Sequence, residues 1–190
     1  NFSCTDWLDV KPVDRMSEDQ LYSTEAGFRQ ALNGIYVELN HADLYGDELL
    51  VNTVEILAQR YKFSSMGTLT NQYHLAEFDY TTDYAKKCGS RIWEKAYALI
   101  ANVNKLLKNA DSHKDLFTGD SYDLITGEAY ALRAFLHFDL LRLFGPVYKT
   151  HKEDKSICYN TQFSLSGSDL LPASKVMEYV IADLKEAEDR

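Results

Sequence analysis

The side chains that could do chemistry in this chain are numerous, and their spacing excludes most of that chemistry. Five histidines, His41, His74, His113, His137 and His151, include no HExxH pair, the spacing that sets two imidazoles on one helix face for zinc. Cys4, Cys88 and Cys158 lack the short separations of a metal knuckle. There is no glycine-rich phosphate loop and no G-x-S-x-G elbow. Carboxylates are plentiful, but they punctuate helix faces as solvated charge does, and nothing sets two of them at one pocket mouth for glycoside hydrolysis. The chain therefore reads as a binding protein, not an enzyme, with no cofactor or metal implied. Binding chemistry is present in residues 63–83, FSSMGTLTNQYHLAEFDYTTD. Phe63, Tyr73, Phe78 and Tyr80 could lay their faces on the apolar faces of sugar rings, with Asn71 and nearby Arg60 serving the hydroxyls. The competing reading has these rings pinning the segment to a core.

Composition narrows the partners. The chain has 190 residues, 45% of them hydrophobic, and 13 tyrosines, enough for a packed domain and too apolar for a disordered one. Its formal net charge is -9 and it has no basic run, so nucleic acid and anionic membrane surfaces are poor partners. No stretch approaches the roughly 20 apolar residues that span a bilayer. Cys88 and Cys158 could pair in an oxidising compartment or stay as free buried thiols.

The elements that must position the binding residues are helical. Residues 127–145, GEAYALRAFLHFDLLRLFG, place Leu132, Phe135, Leu136, Leu140, Leu143 and Phe144 on one face, with Ala129, Ala131 and Ala134 on others. Such a helix belongs in the middle of a stack. Gly145-Pro146 is expected to end it through a left-handed glycine. Arg133 within this apolar run is either a ligand clamp or, favoured here, a buried guanidinium paired with a carboxylate or helix end. Ser17 and Gln20 form a capping box for a short turn. A long helix follows from about Thr24, through Phe28, Leu32, Ile35 and Leu39, and a second is expected over residues 47–61. Periodicity then fails over 63–83. A third helix carries Trp93, Ala96, Tyr97, Ile100, Asn104 and Leu107 on one face, ending near residues 109–112. Asn104 there predicts a buried amide bonded to backbone. Asp120 or Ser121 caps the central helix, 146–171 is irregular, and a last helix starts near Ser174.

Several of these segments carry a resemblance. The central string is similar to the signature helix of the SusD/RagB family, through Gly127, Glu128, Ala129, Leu132, Arg133, Ala134, Phe135, Phe138, Asp139, Leu140, Arg142, Leu143, Phe144, Gly145 and Val147. Tyr148 stands where that family usually has proline. Cys4, Asp6, Leu8, Asp9 and Pro12 resemble its opening segment. Ala31, Leu32, Gly34, Ile35, Tyr36 and Leu39 resemble its first helix. Trp93, Tyr97, Ile100, Asn104 and Leu106 fall in register with a later helix, and Ser174, Val176, Asp183, Leu184, Glu186 and Ala187 with a further one. Met177 and Val180 replace its usual tyrosine and isoleucine.

The resemblance implies an all-α fold of stacked antiparallel helix pairs, tetratricopeptide-like, over residues 17–190. Residues 1–16 would be an extended arm and lipoprotein tether, and the family's C-terminal remainder would be absent. It implies that Cys4 is the lipidated cysteine of an outer-membrane lipoprotein facing the cell exterior. The partners implied are an oligosaccharide and a TonB-dependent, SusC-like transporter. A RagB-type relative would bind peptide instead, and an orphan helical-repeat module would bind another protein. The family's variable segment between the second and third helices is expected to contribute to the ligand surface. Arg60, Asn71 and Tyr73 are the first choices there, as charged donor, amide and stacking face.

Overall fold

The computed structural model describes residues 17–162 and 168–190. The expectations for residues 1–16, Cys4 among them, lie outside the described residues. The elements are α1 (Glu18–Leu21), α2 (Glu25–Leu39), α3 (Thr53–Leu57), α4 (Thr70–Ala76), α5 (Asp83–Ser112), α6 (Ser121–Phe144), α7 (Tyr148–His151) and α8 (Ala173–Glu188), with a 3-10 turn at Lys114–Leu116. Among the described residues no strand forms; one isolated bridge joins Lys155 and Pro172. The chain is all-α.

Local chemistry starts the helices. Ser17 Oγ accepts from Gln20 N–H at 3.2 Å while Gln20 Oε1 accepts from Ser17 N–H at 3.0 Å, so the expected capping box is formed. Thr24 Oγ1 accepts from Gly27 N–H at 3.2 Å and starts α2. Thr82 caps α5 in the same way, through Ala85 N–H at 3.3 Å. That cap makes α5 30 residues long, a good ten residues longer at its start than the stripe beginning at Trp93 suggests. Ala85, Cys88 and Ile92 extend the buried face back to the cap.

Four long helices lie antiparallel to their neighbours. Glu38 of α2 pairs with Lys95 of α5, and Glu18, just before α2, with Lys105, so α2 and α5 run in opposite directions. Asn104 meets Arg133 and Asp111 meets Tyr122, which sets α5 against α6. Arg133 meets Asp183 and Thr126 meets Arg190, which sets α6 against α8. α6 touches α2, α5 and α8, and this central place is what its apolar, alanine-rich faces require. Two cores result. Ile92, Leu99 and Ile100 of α5 pack with Ala134, Leu136 and Leu140 of α6 and Val176 and Val180 of α8. Phe28, Leu32 and Ile35 of α2 pack with Val103, Leu106, Ile125, Ala129 and Leu132.

Three local expectations are corrected. The helix expected over 47–61 is reduced to Thr53–Leu57. Ahead of it the Asp47 carbonyl accepts from Leu50, Val51 and Asn52 in successive turns. Glu48 is drawn inward, 2% exposed, to Arg91 of α5 and the Thr53 hydroxyl. A buried carboxylate that must meet a distant guanidinium overrides a modest local helix preference. Second, the segment 63–83 is not wholly irregular, because it contains α4. Third, Gly145 is extended, φ -84° and ψ 169°, not left-handed. Glycine is needed for close approach: a Cβ there would stand 2.4 Å from Leu141 O, to which Gly145 N–H donates at 2.8 Å.

Candidate ligand-binding surface

The conspicuous polar residue of the central helix is structural. Arg133 Nε and Nη2 donate to the two oxygens of Asp183, each at 2.7 Å, and Nη1 donates to Asn104 Oδ1 at 2.9 Å. Asn104 Nδ2 donates to Asn160 O at 2.9 Å, the backbone bond expected of it. His137, fully buried, has Nδ1 2.9 Å from Arg133 O and accepts from Asn160 N–H on Nε2 at 3.0 Å. That pattern assigns a neutral ring with its proton on Nδ1. Tyr159 stacks on this ring at 3.9 Å, donates to Asp183, and Tyr97 donates to Cys158 O at 2.8 Å. Residues 155–162 thus form a strap gripped through its backbone by side chains of α5 and α6. Among the described residues no buried side-chain nitrogen or oxygen lacks a partner. Arg133 is therefore held chiefly by Asp183 and Asn104, the buried, paired state favoured from sequence over a ligand clamp. Cys88 and Cys158 are free thiols, and no group of three or more His, Cys, Asp or Glu among the described residues could hold a metal.

The surface suited to ligand lies at the other end of α5. α3 and α4 finish with the same cap. Gln59 N–H donates to Ile56 O and Arg60 N–H to Glu55 O, while Phe78 N–H donates to Leu75 O and Asp79 N–H to His74 O, at 2.9–3.0 Å. In each cap the second residue after the helix is left-handed, Gln59 at φ 59° and Phe78 at φ 58°. Glycine is usual there; a bulky residue in this region stores strain, which concentrates at functional sites. Gln59 Nε2 also donates to Ala76 O at 2.6 Å and joins the two helices. Asp79 then accepts from the Thr81 hydroxyl at 2.6 Å and from Thr81 N–H at 3.0 Å, bonds that hold its carboxyl below the usual range and fix the turn carrying Tyr80. The outcome is a group of outward rings: Tyr61 is 45% exposed, Phe78 52% and Tyr80 58%. Phe63 goes the other way, packing against Ile56, Leu75, Ala76 and Ala85.

The residues singled out from sequence are distributed unevenly on this surface. Arg60 follows the α3 cap, is well exposed, and has one loose pairing, to Glu55 at 3.9 Å. Asn71 is exposed in the first turn of α4. Tyr73 is half-buried, its ring edge-on to His74 at 5.6 Å. Two residues apart on one helix, Asn71 and Tyr73 project in different directions and do not face each other. Phe78 and Tyr80, second-rank candidates by sequence, are the better presented rings. The cue available was their position beside Asp79 and Thr81, a turn that aims side chains outward.

The SusD-like family, described as "Starch-binding associating with outer membrane", matches residues 6–189. The chain belongs to this family. A SusD-like protein of Formosa agariphila is 26% identical over 188 residues, 98% of this chain and 35% of the relative. A second from that organism is 27% identical over 148 residues, 76% of this chain and 28% of the relative. The chain thus spans about a third of the length of the curated relatives it matches. Among solved structures, a SusD superfamily protein of Bacteroides fragilis superposes with a TM-score of 0.72 at 18% identity, over 87% of this chain and 39% of that one. A SusD-like carbohydrate binding protein of Bacteroides vulgatus gives 0.71 at 22%, over 87% and 35%. At these identities the likeness establishes the fold.

Proposed function

We propose that this chain is the N-terminal helical part of a cell-surface oligosaccharide-binding lipoprotein that delivers its ligand to a TonB-dependent, SusC-like transporter. No catalytic step belongs to this reading. The observation that carries it is the group of outward rings at the α3 and α4 caps, Tyr61, Phe78 and Tyr80, with the Arg60 guanidinium close by in sequence. Aromatic faces stack on the apolar faces of pyranose rings, and donors at their edge satisfy hydroxyls. Arg60, Asn71 and Tyr73 remain part of the proposed ligand surface, joined now by Phe78 and Tyr80. The family's description as starch-binding and associating with the outer membrane supports the same reading.

Cys4 would carry the lipid and residues 1–16 would act as tether. One acyl chain binds membranes only marginally, so a multiply acylated cysteine is required. Cys4→Ala should release the native protein from the membrane fraction; retention at wild-type level in cells lacking the transporter would refute the anchor. For the ligand, the full-length protein should be titrated calorimetrically with neutral oligosaccharides and with peptides. Saturable heat with a sugar supports the proposal, and heat with peptides alone would replace it with peptide capture. A transporter gene of the TonB-dependent class beside this one, together with glycoside hydrolases, is the expected neighbourhood.

A further inference from the structure

A cavity of about 330 Å³ opens between the α3–α4 unit and the packed ends of α5 and α6. Its walls are mainly apolar, contributed by Leu75, Ile92, Leu143 and Phe144, with the buried Cys88 thiol among them. Three groups at the lining differ from the rest: Thr53, whose hydroxyl donates to Glu48, Tyr80, whose ring is largely exposed, and Lys86, exposed on the first turn of α5. Gly89 keeps the space open. A Cβ added there would meet a single neighbour within 4 Å, the Phe144 ring at 3.6 Å, so a larger side chain would grow into the cavity. A concave apolar site of this size with a few polar groups is the usual form of a small-ligand pocket.

We propose that this cavity binds a phenolic ring, carried as an ester or aglycone on the captured ligand. Two of its lining groups are rings, Tyr80 and Phe144, which suit an aromatic occupant through edge and offset contacts. Lys86 supplies an ammonium that donates to a phenolic oxygen or lies over the ring. The mainly apolar lining suits a substituted aromatic ring better than a hydroxyl-rich sugar, so the sugars would run outward over Tyr80 and Phe78. The attachment to a sugar rests on the function proposed above, while the ring site does not.

The two readings separate with a probe that contains no sugar, methyl 4-hydroxycinnamate, in a Cys4→Ser, Cys158→Ser background of the protein. Saturating probe should slow alkylation of Cys88 at least several-fold and shift the NMR signals of Leu143 and Ile92. Gly89→Leu should weaken probe binding at least tenfold with the helical spectrum unchanged. Should that variant misfold, Tyr80→Ala, an exposed substitution, should weaken it several-fold. Unchanged Cys88 reactivity at saturating probe, or wild-type probe binding in the variant that folds, would overturn the ring site. Probe binding without any oligosaccharide binding would leave the ring site standing and remove the sugar reading; the converse would remove only the ring site.

Discussion

The two ends of α5 treat polar and aromatic residues in opposite ways. Toward its C-terminal half, Arg133, Asp183, Asn104, His137 and Tyr159 form a closed set in which every strong donor and acceptor meets another and the strap is held by its backbone. Toward its N-terminus, the α3–α4 unit rests on a satellite core of Ile56, Leu75, Ala76 and Ala85 and turns Tyr61, Phe78 and Tyr80 to solvent. The lesson is that polar residues within an apolar helical stripe serve architecture, because burial forces them to be paired. Exposed rings just beyond short, firmly capped helices keep open faces that a ligand could use, Tyr61 holding its hydroxyl on Val51 O at 3.2 Å.

The comparison breaks most visibly at the ion pair. Asp183→Ala should cost about 3–5 kcal/mol, since it leaves the buried Arg133 guanidinium uncompensated. Replacing both partners by apolar residues should cost clearly less than either single change. Urea denaturation measures both, and a loss below about 1 kcal/mol in the single variant would contradict the closed network.

Next in size is a dependence on acid. Burial pushes the His137 imidazole down to about 4 from its usual 6.5. The folded protein then binds fewer protons than the unfolded chain between those values. The stability is fully present above about pH 6.5 and is lost as pH falls toward about 4, by about 3 kcal/mol at most. His137→Gln should flatten that part of a stability–pH profile; an unaltered profile would mean the ring titrates normally.

At the other end of α5 the effects should fall on binding. Tyr80→Ala is expected to weaken oligosaccharide affinity by ~1–3 kcal/mol, the scale of stacking on aromatics, with its melting midpoint hardly moved. Tyr73→Ala, at a half-buried ring, should divide its effect between affinity and stability. Lost stability with intact binding at Tyr80 would return that ring to the core.

The smallest change has opposite signs on the two measures. Phe78→Gly relaxes a left-handed residue and should stabilise the fold by about 0.5–1 kcal/mol, while removing a ring should lower affinity. A variant both stabler and equally good at binding would show that Phe78 serves the cap alone.

Much of the scaffold was determined by sequence. The helices α2, α6 and α8, the Ser17 capping box, the paired state of Arg133 and the buried amide of Asn104 all follow from periodicity and from the cost of unpaired buried charge, although Phe135, read onto the core face of α6, is 43% exposed, and Tyr179 and Leu184 of α8 are also exposed. Each of these rests on residues within a few turns of one helix, or on a rule that holds whatever the partner is. The tertiary structure alone decided the rest. The helix expected over 47–61 yields to a bond between Glu48 and Arg91, which lie 43 positions apart. Gly145 serves close approach instead of a left-handed turn, a distinction set by where Leu141 O lies. Among four candidate rings in 63–83, Phe63 went inward and Phe78 and Tyr80 outward because α3 and α4 close on α5 through a small core. A period reveals burial when the partner surface is as long as the helix. On short helices, whose burial depends on which distant turn they meet, the pattern is too brief to say which face that is.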